Sequence, residues 1–306
     1  MASKKTVIVI AGPTAVGKTA LGIAVAKGFG AEIISADSRQ CYKELSIGVA
    51  RPSEAELAEV PHHFIASHSV SEKVNAVTFE QYALEKSARL FKQNEVVVMV
   101  GGTGLYIRAF CEGLDVIPEI PGAIRDKIIE DYQVNGLLWL QQMVRDADPA
   151  YYDTGENENP QRLMRALEVI TATGTSILQF QRGEKLKRDF NIIKIGVELP
   201  RPILYSRINH RVDLMMQQGL IDEVKGLLSY KELNALQTVG YRELFEYLDG
   251  KNTLDKAVEQ LKTNTRHYAK RQLTWFKKDM EYTWFDPSEE DKIKEHLVSA
   301  LSLYSD

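Results

Sequence analysis

The chain has 306 residues, of which 44% are hydrophobic and 26% are charged, and its formal net charge is −4. These values are those of a folded globular protein and exclude a disordered or collagen-like chain. The slightly negative charge argues against a protein coated in basic surface, although it leaves room for a local basic groove.

The longest apolar runs, such as residues 96–100, are far too short to cross a bilayer. The first residues lack the apolar segment of a secretory signal. We therefore expect a cytoplasmic protein that does not enter a membrane. Cys41 and Cys111 are isolated from each other and from any histidine cluster, which predicts reduced thiols rather than a disulfide or zinc site.

The first motif is a candidate phosphate-binding loop (P-loop) over residues 12–19, which match the pattern G-x-x-x-x-G-K-[ST]. An apolar run at 7–11 precedes it and a helix-forming run at 20–27 follows, as a P-loop requires. The backbone N–H groups and the helix N-terminus would hold an anion, with a lysine and a magnesium-ligating hydroxyl beside it. The loop residues are Gly12, Pro13, Thr14, Ala15, Val16, Gly17, Lys18 and Thr19.

A second apolar run, residues 32–36, ends at Asp37. Because parallel strands deliver their carboxyl ends to one edge of a sheet, Asp37 is expected beside the P-loop. It would ligate a metal, act as a base, or cap a turn. Ser38, Arg39 and Gln40 follow and would line the same opening.

The run of valines at 96–100 predicts a strand buried on both faces. ATP-hydrolysing P-loop proteins commonly carry an acidic residue where such a strand ends, to hold Mg²⁺. Here Gly101, Gly102 and Thr103 occupy that place. The glycines permit close approach of a ligand or backbone, and the Thr103 hydroxyl is expected to point into the site.

From residue 115 to 190 the chain is almost wholly helix-like, with Asn159 and Pro160 as a helix N-cap and first position. Strand character returns at 191–198. The sequence therefore predicts an α/β fold: a P-loop NTPase-like core with a parallel sheet, built from residues 1–114 and 191–306, and a helical insertion domain at 115–190.

Two later segments carry cations. Arg207 and Arg211 lie four residues apart, so they share a helix face and would neutralise a diphosphate, or they are merely surface charges. Residues 262–278 contain no acidic residue, several cations and three aromatic rings. This composition indicates either nucleic-acid binding or a solvated amphipathic helix.

Taken together, these segments resemble the tRNA dimethylallyltransferases (isopentenyl-diphosphate:tRNA transferases) of the bacterial type. The resemblance runs from residue 7 to about 285 and departs from the family pattern at Ala66, where members often have aspartate, and in 67–77. Its motifs are GPTAVGKT at 12–19, ISADSRQCYKELSIGVARP at 34–52, PHHFI at 61–65, GGTGLYIRA at 101–109, NPQRLMRALEV at 159–169, RINHRVDLMMQQGLIDEV at 207–224, TVGYRE at 238–243 and TRHYAKRQLTWF at 265–276.

The resemblance implies transfer of a dimethylallyl group from dimethylallyl diphosphate to N6 of the adenosine just 3′ of the anticodon, in tRNAs reading codons that begin with U. The P-loop would hold the diphosphate, with Lys18, Thr19-bound Mg²⁺ and Arg211 neutralising its charge. Asp37 matches the family's general base and Thr103 a residue contacting the target nucleotide. The adenine would have to leave its stack.

Other implied contacts are to the anticodon stem-loop of tRNA. Arg125 matches a position that faces both the diphosphate and tRNA. Asp37 and Thr103 also belong to the tRNA-contacting set, and the helical insertion would close over the stem-loop. The remaining members are Ser38, Arg39, Gln40, Gln161, Arg162, Leu163, Met164, Arg165, Gln237, Thr238, Val239, Gly240, Tyr241, Arg242, Lys270, Arg271, Gln272, Leu273, Thr274, Trp275, Phe276 and Lys277.

Two alternatives belong to other classes. A nucleoside-type kinase would bind ATP in the same loop and use Asp37 to activate a hydroxyl. An RNA-binding GTPase-like switch would need a guanine-reading N/TKxD-type motif after a strand, which the sequence lacks. We expect the protein to be a monomer.

Overall fold

A computed structural model of the protein describes residues 5–154, 157–181, 183 and 185–303. These residues form a six-stranded sheet in the order β3-β2-β4-β1-β5-β6, in which every paired strand is parallel. The predicted α/β class with a parallel sheet is thereby confirmed. The strands are β1 (Thr6–Ala11), β2 (Ile33–Ala36), β3 (His62–His63), β4 (Val96–Gly101), β5 (Asn191–Val197) and β6 (Tyr282–Phe285).

Helices account for most of the remaining described chain. The two short 3₁₀ helices are Ile177–Phe180 and Leu228–Tyr230. The α-helices are α1 (Lys18–Phe29), α2 (Glu54–Glu59), α3 (Ala76–Leu90), α4 (Gly104–Glu112), α5 (Gly122–Ala147), α6 (Pro149–Thr154), α7 (Pro160–Thr173), α8 (Arg201–Gln217), α9 (Leu220–Gly226), α10 (Arg242–Leu248), α11 (Leu254–Phe276) and α12 (Glu290–Ser302). Within the described residues, no helix combines the length and apolarity needed to span a membrane.

The central strand β1 explains the continuous apolar runs of the sequence. Its side chains alternate between two cores: Val7 and Val9 pack on one face of the sheet, and Ile8 and Ile10 pack on the other. All four are fully buried because helices cover both faces. The same register brings Ala11 of β1 beside Gly101 of β4, so the loops that follow these two strands begin side by side.

The chain divides into two compact units. Unit 1 comprises Met1–Gly113 and Lys187–Asp306, and unit 2 comprises Leu114–Leu186. Residues 187–190, which the sequence assigned to the insertion, group with unit 1. The physical reason is local: the Arg188 guanidinium donates to the carbonyls of Ala109 and Phe110 at 2.8 and 2.7 Å, and Phe190 stacks on Phe110.

All regular secondary structure in the described part of unit 2 is helical, and this unit has its own core around Leu140, Val144 and Leu167. Asn159 begins α7 as its sequence suggests, since its Oδ1 accepts from the backbone N–H groups of Gln161 and Arg162 at 3.1 and 3.3 Å. Helix α5 is interrupted at a glycine, Gly136, whose φ of 76° and ψ of −168° are not helical.

Candidate active site

Two glycines give the P-loop its path between β1 and α1. Gly17 has φ 114° and ψ 13°, a left-handed conformation that a residue with a Cβ rarely adopts. A Cβ on Gly12 would lie 2.5 Å from the carbonyl oxygen of Val197 in β5. Glycine is therefore required at both positions for the loop to turn tightly over the sheet edge and into the helix.

The ammonium of Lys18 lies inside this loop and donates to the carbonyl of Pro13 at 2.7 Å. Burial lowers the pKa of Lys18 to about 7; the negative charge of Asp37 opposes this effect and the positive charge of Arg211 adds to it. A bound anion would favour the charged ammonium. Lys18 is therefore poised to take up positive charge when an anion enters.

Helix α8 brings the two predicted arginines to the loop. Arg207 donates from Nη1 to the carbonyl of Val16 at 3.2 Å. Burial lowers the pKa of Arg211, Glu56 opposes this, and Arg207 lowers it further. Because a guanidinium stays charged near neutral pH, Arg211 brings positive charge into the pocket that Lys18 also lines.

The two carboxylate oxygens of Asp37 differ in their surroundings: Oδ1 lies in a turn and Oδ2 is open to the pocket. Its Oδ1 accepts from the backbone N–H groups of Arg39 at 2.8 Å and Gln40 at 3.2 Å. Oδ1 of Asp37 therefore caps the turn, which is one of the three roles that the sequence left open. Among the described residues, no donor hydrogen-bonds to Oδ2, so this oxygen remains available for chemistry in the pocket.

Thr103 fastens the turn after β4 to the turn after β2. Its hydroxyl accepts from the backbone N–H of Ser38 at 3.0 Å and donates to the Ser38 hydroxyl at 3.3 Å. Tyr268 of α11 lines the adjoining cavity. Burial, followed by the charge of Asp37, raises the pKa of Tyr268, so its phenol stays protonated.

Lys18, Asp37 and Arg211 border a cavity of about 890 Å³ in unit 1, as does Tyr268, whereas Thr103 and Arg207 are not among its lining residues. The cavity brings together residues that the sequence predicted from five separate motifs. They are Thr14, Ala15, Gly17, Lys18, Thr19, Asp37, Arg39, Gln40, Arg211, Thr238, Val239 and Gln272. Apolar side chains contribute as well, among them Val49, Val212 and Met215. Anion-binding and apolar surface therefore occur in one pocket.

Two polar side chains that support the cavity wall were not predicted from the sequence. Glu223 accepts from the backbone N–H groups of residues 46, 47 and 48 at 2.8–3.0 Å, and from the Tyr241 hydroxyl at 2.7 Å. Arg51 donates to the carbonyls of Tyr42, Lys43 and Leu45. No spacing rule identifies such contacts, because the groups they satisfy belong to an irregular loop.

Several residues predicted to contact tRNA are buried, and their contact with tRNA stays a prediction. They pack within their helices and turns, and Gln272 also lines the cavity. Tyr241 is fully buried beneath the loop at 46–48, and Gln272 is 7% exposed. The complete set is Leu163, Met164, Gly240, Tyr241, Gln272 and Phe276.

Other predicted tRNA contacts are already engaged. Gln40 donates to the carbonyls of Val49 and Ala50 at 3.2 and 3.0 Å. Lys277 lies 2.7 Å from a Glu198 carboxylate oxygen and 3.8 Å from the centre of the Trp284 ring. Both side chains are engaged within the protein. They would have to break these contacts in order to bind RNA.

In unit 2, the buried carboxylate of Glu168 holds two predicted cations, Arg125 at 3.6 Å and Arg165 at 3.0 Å. The predicted residues that are exposed are Arg125, Gln161, Arg162, Gln237, Arg242, Lys270, Arg271, Thr274 and Lys277. The half-exposed ones are Asp37, Ser38, Arg39, Gln40, Thr103, Arg165, Thr238, Val239, Leu273 and Trp275. Both units therefore carry exposed polar groups from the predicted set.

Comparisons with known proteins identify the family of this chain. Residues 40–279 match the family model described as IPP transferase. The chain is 49% identical to the tRNA dimethylallyltransferase of Christiangramia forsetii over 96% of this chain and 97% of that protein. It is 45% identical to tRNA dimethylallyltransferase 1 of Bacteroides thetaiotaomicron, over 95% of each.

Solved structures lead to the same family. The full-length tRNA isopentenylpyrophosphate transferase of Bacillus halodurans is 34% identical, covers 98% of each chain and has a TM-score of 0.74. A eukaryotic dimethylallyltransferase acting on tRNA is 26% identical, with a TM-score of 0.74 over 94% of this chain and 76% of that chain. The resemblance seen in the motifs is thus confirmed, and the chain belongs to the IPP transferase family.

Proposed function

We propose that this protein transfers a dimethylallyl group from dimethylallyl diphosphate to N6 of the adenosine 3′-adjacent to the anticodon, in tRNAs reading codons that begin with U. One observation carries the proposal beyond family membership. The anion loop with Lys18 and the carboxylate of Asp37 share a single cavity, next to the strand end where Gly101 and Gly102 replace an acidic residue.

The donor's diphosphate would lie in the P-loop. During transfer the bond between the allylic carbon and the diphosphate oxygen breaks, so negative charge grows on the leaving group. Lys18 and Arg211 would stabilise that charge because both line the cavity and a bound anion keeps Lys18 protonated. Val49, Val212 and Met215 offer apolar surface to the five-carbon chain.

The acceptor nitrogen gains the allylic carbon and must lose a proton. Asp37 is the proposed base: with Oδ1 held by two backbone N–H groups, the carboxylate is fixed in orientation and Oδ2 is open to the amine. Thr103 would position the adenosine, since its hydroxyl is hydrogen-bonded to Ser38, the residue that follows Asp37. No γ-phosphate needs to be hydrolysed, so the reaction needs no water-activating residue after β4.

Magnesium is the proposed cofactor. The residues fit it: Thr19 lines the cavity at the start of α1 beside the loop, and Mg²⁺ commonly takes few protein oxygens together with phosphate oxygens and water. When bound, the ion would neutralise charge on the diphosphate. Thr19→Val should therefore weaken the magnesium dependence of diphosphate binding.

The proposed macromolecular substrate is the anticodon stem-loop of tRNA. Unit 1 offers the exposed cations Arg242, Lys270 and Arg271, and unit 2 offers the exposed Gln161 and Arg162. Cations of this kind bind the phosphate backbone. We further propose that Arg125 contributes to substrate binding, and that the protein acts in the cytoplasm as a monomer.

The kinase alternative receives no support from the comparisons. The cellular test is mass spectrometry of tRNA nucleosides from cells with and without this gene. N6-(dimethylallyl)adenosine, with any nucleosides derived from it, should disappear on deletion and return when the wild-type gene is restored. An unchanged level in the deletion strain, with no second enzyme of this kind in the cell, contradicts the proposal.

A further inference from the structure

Gln272 of α11 lies between the P-loop and the end of β4. Its Oε1 accepts from the backbone N–H of Thr14 at 2.9 Å, and its Nε2 donates to the carbonyl of Gly102 at 2.9 Å. The residue is 7% exposed. The side chain thus forms a two-ended bridge between two loops that are more than 80 residues apart in sequence.

The two ends of the bridge require opposite hydrogen-bonding groups. Thr14 presents a donor and Gly102 presents an acceptor. A carboxamide supplies one acceptor and one donor in a fixed plane, and this combination suits both partners at once. A hydrocarbon side chain of the same length would leave both backbone groups unpaired in a buried place, which is costly.

The bridge joins the two halves of the proposed reaction. Thr14 belongs to the loop whose N–H groups would surround the diphosphate. Gly102 precedes Thr103, which fastens the turn that carries Asp37. The absence of a side chain at Gly102 leaves room for Gln272, since a Cβ there would collide with the Gln272 amide nitrogen.

We propose that Gln272 is a positioning residue for the donor diphosphate, and not a tRNA contact as its motif suggested. It fixes the peptide at Thr14 and holds the P-loop in register with the turn at Gly102. Its link to the transfer reaction rests on the proposed function, whereas its effect on anion binding does not.

The test uses the full-length protein and inorganic pyrophosphate with Mg²⁺ as the probe. Gln272→Met removes both hydrogen bonds at nearly constant volume. Gly102→Ala disturbs the same bridge from its other end by displacing a flexible amide, and Gly102 has no left-handed φ that would strain an alanine. Gln260→Met is the matched control: the same change on the same helix, at a side chain without a hydrogen bond to a described residue and outside the cavity lining.

Calorimetry should show pyrophosphate affinity lowered about 5- to 30-fold in Gln272→Met, as expected for the loss of one or two buried hydrogen bonds. Gly102→Ala should change it in the same direction and Gln260→Met by less than about twofold. In steady-state assays the KM for dimethylallyl diphosphate should rise by a similar factor. The affinity for tRNA should stay within about twofold of wild type.

Unchanged pyrophosphate affinity in Gln272→Met would overturn the proposal, and so would weaker tRNA binding with normal pyrophosphate binding. Should Gln272→Met fail to fold, Gly102→Ala decides by the same criteria. If wild-type protein transfers no dimethylallyl group yet the pyrophosphate results hold, the proposed function fails and the role of Gln272 stands.

Discussion

In the proposed reaction, one carboxylate oxygen of Asp37, Oδ2, acts as the base. Asp37→Asn keeps an oxygen for the N–H groups of Arg39 and Gln40 but removes the basic group. We expect kcat to fall by about 10²-fold or more, the usual scale for a general base, with pyrophosphate and tRNA affinities nearly unchanged. Single-turnover kinetics with separate binding measurements provide the test. An asparagine variant with wild-type kcat would remove Asp37 from this role.

Lys18 should couple anion binding to proton uptake. With a pKa of about 7 in the free protein, Lys18 is mostly neutral at pH 8 and mostly charged at pH 6. A bound diphosphate raises that pKa, so binding at pH 8 should take up close to one proton, and less as the pH falls below 7. Calorimetry of pyrophosphate binding in buffers of different ionisation enthalpy measures this uptake.

The matched comparison for this prediction is Lys18→Met, measured over the same pH range. Protons that pyrophosphate itself binds or releases appear in both proteins and cancel in the difference. The difference should approach one proton at pH 8. Equal uptake by the two proteins would show that Lys18 is not the titrating group.

At the scale of elements, α9 holds the loop at 46–48 through one carboxylate. Glu223→Ala removes the acceptor of three backbone N–H groups and of the Tyr241 hydroxyl. We expect the free energy of unfolding to fall by about 2 kcal/mol, because charge-assisted bonds of this kind are the stronger ones. Chemical denaturation measures it. The neighbouring Asp222, 81% exposed, provides the control, and Asp222→Ala should stay within about 0.5 kcal/mol.

Helix α11 has one face toward the cavity and another toward solvent. Tyr268 and Gln272 line the cavity, whereas Lys270 and Arg271 are exposed. If the exposed cations contact RNA phosphates, Lys270→Glu or Arg271→Glu should weaken tRNA binding at least about fivefold and lower the salt slope by about 1. Filter binding at several salt concentrations measures both quantities.

The control for these charge reversals lies on the same helix. Lys256 is also exposed and lies 14 residues before Lys270, about 21 Å along the axis at 1.5 Å per residue. Lys256→Glu should leave the tRNA affinity within about twofold of wild type. Equal losses at Lys256 and Lys270 would indicate a general charge effect rather than contact by the predicted segment.

Across the whole molecule, a strand or helix could be predicted where a single stretch of sequence has a clear hydrophobic pattern. The apolar runs at β1 and β4 predicted buried strands because both faces of the sheet are covered. The short edge strands β3 and β6 were not predicted, since two and four residues carry too little periodicity. Helix α2 also went unpredicted, although Ser53 and Glu56 form a capping box that the sequence displays.

The sequence motifs predicted which residues share the site, but they did not predict which residues contact one another. Lys18, Asp37 and Arg211 do share one cavity, because parallel strands end at the same edge. The roles of Gln272 and Tyr241 could not be read from the chain. The partners of Gln272 lie 258 and 170 residues away along the chain, and that of Tyr241 lies 18 residues away. Only packing decides which side of a helix or turn is buried.

The transfer reaction itself is the most direct test of the whole account. Purified protein, Mg²⁺, labelled dimethylallyl diphosphate and an unmodified tRNA with adenosine 3′ of its anticodon are combined, and the nucleosides are analysed. A tRNA with guanosine at that position is the control. We expect label only in N6-(dimethylallyl)adenosine from the first tRNA, with one diphosphate released per transfer. Unlabelled tRNA, or ATP-dependent phosphorylation of a small molecule in its place, would contradict this expectation.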